Sequence, residues 1–126
     1  MKAYTDIEQS KKLAEILPLE SADMVYVHTT DLEGDEHYDI DVLCNTPLFE
    51  DDIYAWSLAA LLNYLREVDF FPDIEADEHS VTMNINYYNE EEARPLAPMH
   101  NIKVEAESFI DACYNMILKL YELKML

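Results

Sequence analysis

The chain has 126 residues, half of them hydrophobic, with 9 Tyr, 4 Phe and 1 Trp. That suits one domain over residues 1–126 and supplies enough apolar material for a core, which excludes a disordered acidic chain. Its 27 Asp and Glu against 8 Lys and Arg give a net charge of −19; this disfavours direct binding to nucleic acid or to an anionic membrane, since both need cations to neutralise phosphate.

The acid is concentrated in the middle. Residues 13–93 carry 21 acids against the single base Arg66, a net charge of −20. A basic partner surface is favoured accordingly. Residues 1–17 have no long apolar core and carry Asp6, Glu8 and Glu15, unlike a secretory signal. No apolar run approaches the roughly 20 residues that span a bilayer. Cys44 and Cys113 are too few for a disulfide framework and read as buried thiols of a cytoplasmic protein.

In chain order, Thr5-Asp6-Ile7-Glu8 reads as a capping box with Thr5 as cap. Ile7, Leu13, Ala14 and Leu17 form the apolar stripe of the first helix, which Pro18 stops. Residues 24–29, β-branched and aromatic, read as a strand. Residues 31–35 hold the only glycine, Gly34, and predict a hairpin turn. On the returning strand, residues 37–43, Tyr38, Ile40 and Val42 face one way and His37, Asp39 and Asp41 the other.

Asn45-Thr46-Pro47 breaks the pattern, and Glu50-Asp51-Asp52 leads towards a second helix whose dipole suits preceding acids. Leu58, Leu61, Leu62, Leu65 and Val68 give that helix its spacing, and Phe70-Phe71-Pro72 ends it. Residues 81–88 alternate as a third strand, followed by the acidic loop 89–92, a stretch containing Pro95 and Pro98, and a fourth strand over 101–106. Ser108 opens a last helix whose polar strip is Asp111, Asn115, Lys119 and Glu122. The order α-β-β-α-β-(β)-α predicts an α+β fold: a small antiparallel or mixed sheet of three or four strands packed by three helices.

Catalytic chemistry finds little support. One glycine excludes phosphate loops, dinucleotide fingerprints and a Gly-supported nucleophile turn. Four histidines, His28, His37, His79 and His100, lie among carboxylates, and His28 and His37 flank one hairpin. No His-x-x-x-His or Cys-x-x-Cys spacing fixes a metal geometry, and the calcium-loop likeness of Asp31, Glu33 and Asp35 lacks the distant acid and flanking helices. No metal, cofactor or catalytic residue is expected.

The acid on the hairpin (Asp31, Glu33, Asp35, Asp39, Asp41), on Glu50, Asp51 and Asp52, and on Glu90, Glu91 and Glu92 has two readings. It is a solvated face that confers solubility, or it imitates phosphates and enters a groove lined with Lys and Arg. In a structural or assembly protein that self-associates, it serves solubility only.

Tyr4 through Leu13, Ser21-Ala22-Asp23-Met24, the Trp56-Ser57-Leu58-Ala59-Ala60-Leu61-Leu62 block and the closing Asp111-Ala112-Cys113 through Leu123 resemble a family of small acidic proteins of phages, prophages and mobile elements of gut bacteria. The blocks span most of the chain and read as a capped helix and two core helices, with no catalytic motif. Tyr54-Ala55 stands where that family has Pro before the Trp-Ser-Leu block. The resemblance implies a phage-type inhibitor or modulator in the host bacterial cytoplasm, an anti-CRISPR nuclease inhibitor among the candidates. Its expected partner is a basic, nucleic-acid-binding host protein rather than nucleic acid itself.

Overall fold

A computed structural model describes residues 2–43, 49–88 and 99–126. The fold is α+β, and the described residues form three α-helices and two three-stranded antiparallel sheets. Cys44, Asn45, Thr46, Pro47, Glu90, Glu91, Glu92, Pro95 and Pro98 lie outside the described residues. The chain divides into two compact units, Met1–Tyr64 and Leu65–Leu126.

In the first unit, α1 spans Ile7–Ile16. Its cap is Asp6 rather than Thr5: the Asp6 carboxylate accepts from Gln9 N–H, and the Gln9 side chain accepts from Asp6 N–H. The box therefore sits one residue later than the Thr5–Glu8 spacing suggests, and Thr5 is freed for burial. Ser10, Leu13 and Leu17 are buried along the helix, whereas Ala14 is exposed, so the inward face centres on Leu13.

A turn of 3-10 helix, Leu19–Ser21, leads to β1 (Met24–Thr30), β2 (Glu36–Val42) and β3 (Ile53–Ala55). Their spatial order is β2-β1-β3, all antiparallel. Strand β3 was not legible in the sequence, because three residues beside an acidic run carry no periodicity. It lies between Glu50-Asp51-Asp52 and α2 (Leu58–Glu67), so these acids do not sit at the helix start. Ser57 caps α2 instead: its hydroxyl accepts from Ala60 N–H, while Asp23 accepts from both the Ser57 amide and hydroxyl.

A buried polar clasp holds the start of the chain to the β3–α2 junction. Thr5 N–H donates to the Trp56 carbonyl at 2.9 Å, and Trp56 N–H donates to Thr5 Oγ1 at 3.1 Å. Thr5 Oγ1 also lies 2.7 Å from Ser10 Oγ, and the Tyr26 hydroxyl donates to the Thr5 carbonyl at 2.7 Å. Burial pushes the Tyr26 phenol up from its ordinary value, with Tyr4 adding to the shift. Trp56 is fully buried, with its indole N–H on Ser21 Oγ.

In the second unit, β4 (Asp73–Ala76), β5 (Val81–Tyr88) and β6 (Met99–Ala106) lie in that order. Strand β4 is a further element without a sequence signal: only Ile74 and Ala76 of its four residues are apolar. Strand β5 follows its alternation, burying Val81, Met83 and Ile85. Cross-strand partners share a face, so Ile102 opposite Ile85 and Val104 opposite Met83 extend the same apolar layer. Helix α3 (Phe109–Glu122), capped by Ser108, packs on β5 and β6. It buries Ile110, Ala112, Cys113, Met116, Ile117 and Leu120, as its narrow polar strip requires. The strands thus belong to two sheets rather than to one.

Candidate interaction surface

The acidic hairpin begins in the turn between β1 and β2. Asp31 N–H donates to the Asp35 carbonyl, and Gly34 N–H to the Asp31 carbonyl. Gly34 adopts a φ of +86°, a left-handed conformation that a side chain disfavours. Asp31 Oδ1 accepts from Glu33 N–H and Asp35 N–H, both at 2.9 Å. That carboxylate therefore shapes the turn, and the likeness to a calcium loop ends there.

Along β2 almost every residue is exposed. The expected alternation is present, but its apolar side is not covered: Val42 is 61% exposed and Tyr38 is exposed, with only Ile40 half-buried. Asp39 and Asp41 share the opposite face, roughly 7 Å apart along the strand. Asp41 also accepts from the Val42 N–H at 2.8 Å.

The run 50–52 flanks the other side of β1. Asp52 Oδ1 accepts from His28 N–H at 3.2 Å and Oδ2 from Phe49 N–H at 3.1 Å, so this side chain continues the β1–β3 ladder past Ile53. Glu50 and Asp51 are exposed. The structure thus brings the hairpin acids and the 50–52 run to one sheet, on either side of β1. It also sorts them. Asp31, Asp41 and Asp52 hold backbone N–H groups, while the side chains of Glu33, Asp35, Asp39, Glu50 and Asp51 point to no backbone donor among the described residues. Backbone duty of this kind leaves no periodic mark in a sequence.

His28 and His37 do not converge. His28 lies opposite Tyr38 and His37 opposite Thr29, so the two imidazoles take opposite faces of the sheet. His28 packs edge-on against Tyr38 with ring centroids 5.3 Å apart and sits 3.8 Å from Glu36; His37 lies 3.2 Å from Asp39. In the other unit, His100 stacks on Tyr87. Among the described residues no three His, Cys, Asp or Glu side chains gather as a metal site. Cys113 is buried, and burial pushes its thiol up to about 12. No described helix is long and apolar enough to cross a membrane.

The chain matches no protein-family model, no curated protein and no solved structure.

Proposed function

We propose that this chain is a binding protein rather than an enzyme, and that its acidic hairpin docks on a basic surface of a nucleic-acid-handling protein. The observation that carries the reading is the β1–β2 hairpin: exposed carboxylates on turn and strand, and no Lys or Arg between residues 13 and 65. Such a surface is complementary to a groove of Lys and Arg that otherwise holds phosphates, and complementary potential speeds and orients association. The resemblance to small acidic phage proteins supports a bacterial cytoplasmic setting, with a CRISPR nuclease as one candidate target.

The test uses capture from a bacterial lysate at low salt, with and without excess duplex DNA. A basic nucleic-acid-binding protein, captured and then displaced by the DNA, is the expected result. A variant carrying Glu33→Gln, Asp35→Asn, Asp39→Asn, Glu50→Gln and Asp51→Asn should lose the capture. It spares Asp31, Asp41 and Asp52 and relieves like-charge repulsion, so its melting midpoint should not fall below that of the parent. Capture that ignores both DNA and the five neutralisations would refute the reading.

A further inference from the structure

Among the described residues β2 pairs only with β1, which leaves its other side an open sheet edge. The register identifies the backbone groups that face outward. Asp31 bonds Asp35, and Leu43 N–H bonds the Asp23 carbonyl. Antiparallel ladders alternate bonded and non-bonded pairs, so His37, Asp39 and Asp41 turn their backbone groups towards β1. Glu36, Tyr38, Ile40 and Val42 turn theirs outward.

Two side-chain bonds agree with this phase. Val42 N–H takes the Asp41 carboxylate, and His28, the non-bonded partner of Tyr38, gives its N–H to Asp52 on the far side of β1. The outward groups of Glu36, Tyr38 and Ile40 take no such cap among the described residues. An open edge of 7 residues is a template for strand addition, which proteins commonly blunt with Lys. Strand β2 has no Lys or Arg; its charged residues are Glu36, Asp39 and Asp41, with His37 beside Asp39.

We infer that the β2 edge receives a basic, extended segment of a partner protein as a fourth, antiparallel strand of this sheet. This rests on the acidic-docking reading and adds the edge and the backbone conformation to it. Charge complementarity selects the occupant. A strand opposite β2 sets alternate side chains beside Asp39 and Asp41, where Lys or Arg fit. The intervening side chains lie beside Tyr38 and Ile40, where apolar residues fit. A second copy of this chain paired through β2 would set acid against acid, which disfavours that occupant.

The probe is a peptide of alternating Lys and Val, as long as β2, with blocked ends, added to the full chain at low salt. In an antiparallel addition the valine amides bond to Tyr38 and Ile40, and the lysine amides point away. Binding should slow amide hydrogen exchange at Tyr38 and Ile40. N-methylation of the valine amides should weaken binding about tenfold or more, because it removes the backbone donors to Tyr38 and Ile40. N-methylation of the lysine amides should leave binding unchanged. Equal binding of all three peptides overturns the edge proposal while leaving acidic docking intact. No binding of the unmodified peptide also overturns the edge proposal, while capture of a DNA-displaceable partner decides acidic docking separately. Protection of Tyr38 and Ile40 in the chain alone, together with a dimer in sedimentation, assigns the edge to self-pairing and overturns the proposal.

Discussion

Thr5 shows how much one buried hydroxyl can organise. Its Oγ1 is within hydrogen-bond reach of Ser10 and of the Trp56 amide, on residues with little or no exposure to water. Thr5→Val keeps the shape and removes the oxygen, leaving a buried N–H without its acceptor. The expected cost is about 1–3 kcal/mol, read as a lower urea midpoint at unchanged m-value. Cys113 makes a second residue-scale case. Its thiol is buried and held near 12, so in a Cys44→Ser background a thiol reagent at neutral pH should label it only as fast as the protein opens. Because the folded value is raised, the unfolded chain ionises first. This contribution to stability is complete below the ordinary value of 9.0 and is lost as pH rises towards about 12.

The helix ends make the point at the scale of elements. Phe70 N–H reaches the Leu65 carbonyl and Asp69 N–H the Arg66 carbonyl; Met125 and Lys124 repeat the pattern on Leu120 and Tyr121. Both are Schellman caps, whose left-handed position favours glycine. With its one glycine placed in the hairpin, the chain fills these positions with Asp69 at φ 65° and Lys124 at φ 59°. Asp69→Gly should therefore stabilise by about 0.5–1 kcal/mol, as a raised thermal midpoint; a lowered midpoint would show that the Asp69 side chain stabilises the cap. In the β4–β5 turn, N–H groups of His79 and Ser80 donate to Asp77 and hold its carboxyl below the ordinary range. A depressed carboxyl stabilises fully above its unfolded pKa and loses that contribution as pH falls through the folded one. Asp77→Asn should flatten the acid limb of the stability–pH curve.

For the whole molecule, charge sets the expectation. At −19 on 126 residues, self-repulsion opposes compaction. Raising ionic strength from about 10 mM to about 0.15 M shortens the screening length from roughly 30 Å to roughly 8 Å. The thermal midpoint should rise with it. A midpoint that falls would mean that local pairs such as Lys2–Asp6 and the carboxylate caps outweigh the repulsion.

Long periodic segments were legible because they carry their own pattern. Strand β5 has the bounds that its alternation implies, and α3 buries Ile110, Cys113, Met116, Ile117 and Leu120 away from its polar strip, although Tyr121 stays exposed. Composition alone placed the acid in the middle of the chain. It could not assign strands to sheets, because pairing is a choice among partners distant in sequence. Strands β3 and β4 exist because β1 and β5 offer them edges, and their 3 and 4 residues hold no period of their own. Nor could the sequence show that Tyr38 and Val42 stay exposed: alternation marks which side chains share a face, and only tertiary packing decides whether anything covers it. The same holds for the acids. Their number is written in the chain, but which of them hold backbone N–H groups, as Asp31, Asp41 and Asp52 do, depends on where folding brings those groups.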